Sequence, residues 1–232
     1  MVLFLKAKSC TRVTDEKRCL EDCKEYIYKA DNGNDKDKDG GASSTTCTFL
    51  TVWRKSLLMS CSGFTVIDST GNLIYRVDNY RGRPGEIVLM DASGTSIFTT
   101  RRHKTIRLVD DWLVYKGDAS DHHNSKTFQK KQPICYVRKN VSLLLANSNV
   151  LAHVFLGATT KNPIYVIEGS YAQRSCKIID KSSKKVVAEI KRKEAANGRA
   201  SFGLEVFHLV VYPGFNSGFA MTLVLLLDQM FS

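Results

Sequence analysis

The chain of 232 residues is 43% hydrophobic and carries a formal net charge of +11 at pH 7. This apolar content excludes a globally disordered chain, while the positive charge favours anionic partners such as phospholipid head groups, nucleic acid or acidic proteins. Seven irregularly spaced cysteines, together with an N-terminus that lacks a secretory pattern, predict reduced thiols in an intracellular protein.

Residues 1–46 differ in composition from the rest of the chain and predict a separate N-terminal segment with a mobile, charged loop. The run Asp35–Gly40 matches the opening of an EF-hand calcium loop, D-x-D-x-D-G. Thr46 then occupies the twelfth position, where calcium needs a bidentate glutamate. Cys19 and Cys23 have C-x3-C spacing without a second ligand pair, which argues against zinc. We therefore expect neither a metal ion nor another cofactor.

From residue 47 onward, short β-branched and aromatic runs alternate with turn residues, a pattern typical of a β sandwich or barrel. Three segments, 65–77, 87–98 and 176–190, each consist of a strand, a turn opened by aspartate, and a return strand. Aspartate favours such a turn because its carboxylate accepts hydrogen bonds from nearby backbone N–H groups, and glycine supplies the positive φ that the first two turns need. Repeated hairpins predict an antiparallel meander, and closing it into a barrel removes the exposed edge strands.

The C-terminal stretch predicts one helix at about 217–231 that is apolar on every side. Asn216 or Ser217 is expected to cap its first turn. A helix without a polar face must be surrounded by lipid or by protein. Its uninterrupted apolar run, 218–227, would rise about 15 Å, whereas a bilayer core is about 30 Å thick. We therefore predict a helix wrapped by the barrel and no integral membrane span. The predicted core positions of this helix are Phe219, Met221, Leu223, Leu225, Leu226 and Leu227.

The chain offers no catalytic constellation and is predicted not to be an enzyme. Its histidines are scattered, and the pair His122 and His123 sits in a polar stretch typical of a surface loop. No serine or cysteine lies in a nucleophile-elbow context, and no glycine-rich phosphate loop is present.

Basic clusters are the stronger candidates for function. One is expected to join two strands near residue 103, a second lies in the late hairpin, and a third follows that hairpin. If the barrel brings two clusters together, they would bind an anion through charge-assisted hydrogen bonds. The alternative is that they are ordinary solvated hairpin faces. The candidate anion-binding residues are Arg101, Arg102, Lys104, Arg107, Lys184, Lys185, Lys191, Arg192 and Lys193.

Binding of nucleic acid through stacked bases would require aromatic side chains among the basic ones. Trp53, Trp112 and Tyr115 are the nearest candidates. All three sit in apolar strands and are predicted to pack inward, so nucleic acid is the less favoured partner.

Eight short motifs between about residue 47 and residue 231 form a highly specific set. They lie at 51–58, 63–66, 75–80, 89–94, 168–171, 174–176, 213–215 and 220–230. Together they resemble the plant LURP-one-related family. Two departures from the family pattern are Asn216, where an acidic residue is usual, and the stretch 198–203 before the last strand.

This resemblance implies a fold similar to the Tubby C-terminal domain, a closed antiparallel β barrel threaded by a hydrophobic C-terminal helix. Proteins with that fold include phospholipid scramblases and phosphoinositide-tethered Tubby-like proteins, which move from the membrane to the nucleus on release. The namesake of the plant family is linked to defence against pathogens. By this resemblance, residues 1–46 are a variable segment and residues 47–232 are the barrel with its helix.

The sequence as a whole predicts a monomeric binding or tethering module that interacts weakly with anionic phospholipid head groups. The expected location is cytoplasmic or at the membrane periphery, with the nucleus as a further possibility. Two alternatives stay open at this point: a scramblase-like protein that acts on lipid, and a transcriptional or nucleic-acid-binding factor that is released from the membrane.

Overall fold

A computed structural model describes residues 46–58, 61–78, 85–104, 111–119, 132–141, 149–157, 160, 162–193 and 203–232. The predicted N-terminal segment, with its charged loop and its C-x3-C pair, lies outside these ranges except for Thr46. Within them the chain forms twelve strands and one helix. The strands are β1 (Thr48–Trp53), β2 (Gly63–Ile67), β3 (Leu73–Asp78), β4 (Glu86–Asp91), β5 (Ser96–His103), β6 (Asp111–Lys116), β7 (Cys135–Lys139), β8 (Val150–Phe155), β9 (Tyr165–Ser170), β10 (Ser175–Asp180), β11 (Val186–Arg192) and β12 (Val206–Val211), and the helix is α1 (Ser217–Phe231).

The strands form a closed antiparallel barrel in which each strand pairs with its neighbours along the chain. β1 closes the barrel by pairing with β12 as well as with β2, with Leu50 opposite Leu209 and Val52 opposite both Phe207 and Val66. Closure leaves the sheet without an unpaired edge, which would otherwise invite pairing with another chain. The predicted fold class, a closed antiparallel barrel around a hydrophobic C-terminal helix, is confirmed.

Aspartate-led turns join the strands of the predicted hairpins. The Asp68 carboxylate accepts from the backbone N–H groups of Thr70 and Asn72, both at 2.8 Å, and Gly71 has φ of 91°. Asp91 accepts in the same way from Thr95 at 2.9 Å. These turns can be predicted from the sequence because every hydrogen-bonding partner of the aspartate lies within four residues of it.

The third hairpin also has a turn led by aspartate, but a residue other than glycine takes the positive φ. Asp180 accepts from the backbone N–H groups of Ser182 at 2.7 Å and Ser183 at 3.1 Å. Lys184 takes the left-handed conformation there, with φ of 59°, although it is not glycine. The carboxylate therefore stabilises a turn that has no glycine to relieve the strain.

The helix α1 occupies the interior of the barrel, and all six predicted core residues are buried. Asn216 caps its start, since the side-chain oxygen accepts from the backbone N–H of Phe219 at 2.7 Å. The Phe219 ring contacts Phe98 of β5, with centroids 6.0 Å apart, and Tyr165 of β9 at 6.4 Å. Burial runs unbroken from Ser217 to Asp228, so the apolar surface on every side of the helix is covered by the barrel wall.

The four cysteines of the described ranges, Cys47, Cys61, Cys135 and Cys176, are free thiols. Cys176 is 2% exposed on the inner face of β10, and burial raises the pKa of its thiol to about 12. In the same ranges, no helix combines the length and the apolar character that crossing a bilayer requires.

The two ends of the barrel differ in the part of α1 that they contain. Consecutive strands are antiparallel, so every odd-numbered strand ends at the same end. The C-terminal turn of α1 lies there, because Asp228 contacts Arg54, which directly follows β1. We call this the helix-exit end, and we call the end where α1 begins the opposite end.

Candidate functional site

The first basic cluster lies at the helix-exit end. Arg101, Arg102 and His103 are the last residues of β5, and only Lys104 follows the strand. The prediction that the whole cluster joins two strands is therefore wrong for its first three residues, because the ladder to β6 continues through the His103–Asp111 pair. Arg107 lies outside the described residues.

The late basic residues divide between the two ends of the barrel. Lys184 and Lys185 lie in the turn between β10 and β11, at the opposite end. Lys191 and Arg192 are the last residues of β11, and Lys193 follows them, at the helix-exit end. The two clusters are close together in the sequence, but the length of β11 separates them in the structure.

The clusters at the helix-exit end share a rim but do not meet at one point. β5 and β11 lie six strands apart in either direction around the barrel. Twelve strands spaced about 4.8 Å apart enclose a barrel at least about 18 Å across, and the usual tilt of barrel strands makes it wider. A single phosphate group cannot contact both clusters, so together they form a charged rim and not one anion pocket.

Four of the cations at this rim point toward the barrel axis, and we call them the inner ring. Each comes two residues after a buried, inward-facing residue of an odd-numbered strand, and alternation places it on the same face. Arg102, for example, lies over the ring of buried Trp112 at 5.9 Å. The inner ring consists of Arg54, Arg102, Lys139 and Arg192.

Two members of the inner ring complement the C-terminus of α1, which has no basic residue in its own last turn. Lys139 donates from Nζ to the backbone carbonyl of Met230 at 2.7 Å and lies 4.4 Å from the Phe231 ring centroid. Arg54 approaches from the diametrically opposite strand. Cations in these positions offset the negative end of the helix dipole and satisfy a terminal carbonyl.

Asp228 is the buried centre of a polar network where α1 leaves the barrel. Its carboxylate lies 3.0 Å from Arg54 Nε and accepts from the Tyr171 hydroxyl at 3.1 Å and the Ser232 hydroxyl at 2.8 Å. Burial, and secondly the charge of Asp228, raise the pKa of Tyr171, so the phenol keeps the proton that it donates. The network fastens the end of the helix to β1 and to the connection after β9.

Several rim cations outside the inner ring are paired with carboxylates. Arg101 lies 2.5 Å from Glu86, and Lys191 lies 2.5 Å from Glu189. Arg138 binds Asp111 through two hydrogen bonds, at 2.7 and 3.0 Å. These pairs screen part of the charge, whereas Arg102, Lys104 and Arg192 are exposed at the rim.

Charge is distributed unequally between the two ends of the barrel. Within the described ranges, the helix-exit end carries the basic residues Arg54, Lys55, Arg76, Arg101, Arg102, Lys104, Arg138, Lys139, Arg174, Lys191, Arg192 and Lys193, and the acidic residues Asp78, Glu86, Asp111, Glu168, Glu189, Glu205 and Asp228. The described residues of the opposite end carry Lys116, Lys181, Lys184 and Lys185, and the acidic residues Asp68, Asp91, Asp118 and Asp180. The excess positive charge of the described barrel ends is thus confined to the helix-exit end.

The aromatic candidates occupy three different environments. Trp112 packs inward with 4% exposure, as predicted. Tyr115 is buried, but the prediction that it packs inward is wrong. It stands on the outer face of β6 beneath the Arg101 guanidinium, which lies 5.7 Å from its ring centroid. The prediction for Trp53 is wrong: this side chain lies on the outer face of β1 and is 43% exposed.

Arg54, Arg138 and Lys139 are not among the predicted site residues, because they lie in short basic pairs outside the three predicted clusters. Their common signal is position, since each stands at or just beyond the end of an odd-numbered strand. This position can be recognised only when the strand order is known, together with which side chains of each strand point into the barrel. The described residues also contain no cluster of three or more histidine, cysteine, aspartate or glutamate side chains placed to hold a metal ion.

Comparisons with known proteins agree with this architecture. The family model described as LURP-one-related matches residues 48–228. Protein LURP-one-related 17 from Arabidopsis thaliana is 53% identical over 196 residues, covering 83% of this chain and 86% of the relative. Protein LURP-one-related 8 from the same plant is 46% identical over 190 residues, covering 81% and 89%.

A solved structure shares the fold at low sequence identity. The crystal structure of a protein from Arabidopsis thaliana is 24% identical, with a TM-score of 0.55, and the match covers 81% of this chain and 93% of that one. The family model and the two relatives each span more than three quarters of the chain, and the family model covers all twelve strands and α1 as far as Asp228. The chain belongs to the LURP-one-related family.

Proposed function

We propose that this protein is a non-enzymatic, monomeric binding module that tethers reversibly to anionic membrane surfaces through the helix-exit end. The observation that carries the proposal is the cationic excess confined to that end. The resemblance to phosphoinositide-tethered Tubby-like proteins supports the same class of ligand. Occurrence of the named relatives in a plant is compatible with a link to defence against pathogens, which we retain as a hypothesis.

The rim suits a surface better than a single small anion. Its exposed cations are spread around a circle, so they match the many charges of a bilayer leaflet more closely than one phosphate. Each Lys or Arg near an anionic surface contributes about 1 kcal/mol, and this contribution decays within a Debye length. The exposed Arg102, Lys104 and Arg192, together with the half-buried Lys193, would therefore hold the protein weakly and in a salt-dependent way.

Liposome co-sedimentation tests the proposal with charge-matched variants. The rim variant carries Arg102→Gln, Lys104→Gln, Arg192→Gln and Lys193→Gln. The control carries Lys116→Gln, Lys181→Gln, Lys184→Gln and Lys185→Gln, and it loses the same charge at the opposite end. On vesicles that contain phosphoinositide, the rim variant should bind at least a hundredfold more weakly than wild type, because about 4 kcal/mol is removed. The control should bind nearly as well as wild type.

Three outcomes would contradict the proposal. Equal binding to neutral phosphatidylcholine vesicles and to vesicles that contain phosphoinositide would show that the ligand is not an anionic lipid. Equal loss in the rim variant and the control would mean that net charge alone matters. Full binding by the rim variant would show that the helix-exit end is not the surface that contacts the membrane.

The two competing functions predict different results from the same protein. A scramblase-like protein would hold α1 in lipid and resist alkaline carbonate extraction, whereas a tethered barrel is released. A nucleic-acid-binding factor would bind duplex DNA with an affinity that falls steeply with salt. DNA binding that exceeds vesicle binding at physiological salt would favour that function over ours.

A further inference from the structure

The helix-exit end also carries most of the exposed apolar side chains. Among the described residues, five large hydrophobic side chains are exposed: Phe49, Trp53, Leu57, Val141 and Leu204. All except Phe49 lie at the helix-exit end, where Trp53 ends β1, Leu57 follows it, Val141 follows β7 and Leu204 precedes β12. Clustering of exposed apolar residues at one end of a protein marks an interaction surface.

The backbone holds these side chains outward by specific contacts. Arg54 donates its backbone N–H to the Glu205 carbonyl at 2.8 Å, which joins the connection that carries Leu57 to the one that carries Leu204. The Leu204 carbonyl accepts from Arg174 Nε at 2.8 Å, and the buried Arg174 lies between the Tyr171 and Phe207 rings.

The Leu57 side is fixed in the same manner. The Ser56 hydroxyl donates to Asp78 at 2.8 Å and accepts from the backbone N–H of Leu58 at 3.0 Å. Thr65 donates to the Lys55 carbonyl at 2.7 Å. Leu57 and Leu204, which are 52% and 43% exposed, are therefore presented by constrained backbone.

Charge complementarity identifies the partner. Lys55 lies over the Trp53 ring, 5.3 Å from its centroid, so the surface presents an apolar ring and a cation side by side. The exposed Glu205 carboxylate lies 3.6 Å from the Arg54 guanidinium, which offsets its charge. Tryptophan and lysine with exposed leucines suit the boundary between head groups and acyl chains, where an amphipathic ring and a long basic side chain are both stabilised.

We propose that the helix-exit end docks flat on an anionic bilayer and inserts Trp53, Leu57, Leu204 and Val141 into the head-group region. Trp53, Leu57 and Leu204 lie on one wall of the barrel, and Val141 lies on the opposite wall, so the mouth contacts the bilayer from both sides. This inference rests on the proposed function and deepens it by adding an apolar, salt-resistant part to the binding. A soluble head group or free phosphate cannot supply that part.

Tryptophan fluorescence of the full chain tests insertion, because the two tryptophans differ in position. Trp53 is exposed at the docking end, whereas Trp112 is buried in the barrel. On vesicles of phosphatidylcholine and phosphatidylserine, emission should shift to shorter wavelength, and brominated acyl chains near the head groups should quench it. The Trp53→Phe variant should still bind but should lose the quenching.

Vesicle binding by variants that lack exposed apolar side chains is the second test of insertion. The Leu57→Ser, Leu204→Ser double variant should bind anionic vesicles roughly tenfold or more weakly, with the deficit persisting at high salt. Phe49→Ser is the matched control, since it removes an exposed hydrophobic side chain away from the docking end and should leave binding unchanged.

The outcomes separate this inference from the proposed function. Binding with no quenching and no effect of the leucine substitutions would overturn insertion and leave electrostatic tethering standing. Equal weakening by Phe49→Ser would also overturn insertion at this end. No binding to anionic vesicles at all would overturn both proposals.

Discussion

Asp228 places a negative charge at the end of α1 where the helix dipole is also negative, an arrangement that is unfavourable in isolation. The barrel compensates through Arg54, Tyr171 and Ser232, each within hydrogen-bonding distance of the carboxylate. Removing the carboxylate would leave the Tyr171 hydroxyl buried without this acceptor and Arg54 without its nearest counter-charge. Asp228 therefore stabilises the protein through its hydrogen-bonding partners, although its charge is unfavourable at the C-terminus of α1.

We expect Asp228→Asn to lower the free energy of unfolding by about 1–3 kcal/mol, because a largely buried, hydrogen-bonded ion pair is lost. Urea unfolding followed by circular dichroism measures this. Glu205→Gln is the control, since it removes the other Arg54 partner, which is 3.6 Å away and mostly exposed. That change should cost less than about 0.5 kcal/mol. Equal losses in the two variants would contradict this account of the network.

Stability should also fall when the pH drops below about 6.5. Burial is the largest cause that lowers the pKa of His153 and of His208, with Lys181 and Arg138 adding to it for the first and Lys193 for the second. The unfolded chain therefore binds these protons more readily than the folded one. The stabilisation is complete above the unfolded pKa and is lost as pH falls through the lower folded values.

Urea midpoints measured from pH 7.5 to pH 5 test this dependence. The His153→Gln, His208→Gln double variant should show a shallower loss of stability over that window than wild type. A double variant with the wild-type slope would exclude these two histidines as the cause.

At the scale of elements, α1 is the core around which the strands close. Leu225 is 1% exposed inside the barrel, and Gln229, one turn later on the same helix, is exposed. Leu225→Asp should abolish the cooperative unfolding transition, because an isolated charge cannot be accommodated in that interior. Leu225→Ala should remain folded and lose about 2–5 kcal/mol.

Gln229→Asp is the matched control, and it should cost less than about 1 kcal/mol by opposing the helix dipole. Circular dichroism and thermal melting separate the three variants. A folded Leu225→Asp protein with the wild-type melting temperature would show that the helix is not the core.

Elements with local signals were predictable from the sequence. The turns at Asp68, Asp91 and Asp180 are built by contacts within four residues, and the start of α1 is set by one capping side chain, Asn216. The cap and the all-round hydrophobicity together predicted a helix at 217–231, and α1 spans Ser217–Phe231.

The candidate site was less predictable, because its geometry depends on strand order. Arg54 and Lys139 are far apart in sequence and lie outside the basic runs, yet they face each other across α1. Lys184 and Lys191 are close in sequence but lie at opposite ends of β11. Only the closed topology distinguishes a rim from a sequence cluster.

At the scale of the whole molecule, the hydrophobic core and the excess positive charge occupy different parts of the barrel. The most apolar segment fills the interior, and the excess positive charge of the barrel ends lies at the helix-exit end, beside exposed apolar side chains. The proposed attachment to a membrane therefore requires no movement of α1. It predicts that the protein binds as an intact barrel.

Amide hydrogen exchange on the full chain, free and bound to anionic vesicles, tests this central claim most directly. Peptides from α1 and from β5 and β12, which pack against it, should keep the same protection in both states. A helix that moved into lipid would keep its own hydrogen bonds, while the emptied barrel would open. Loss of protection in β5 and β12 with α1 still protected would therefore contradict the account.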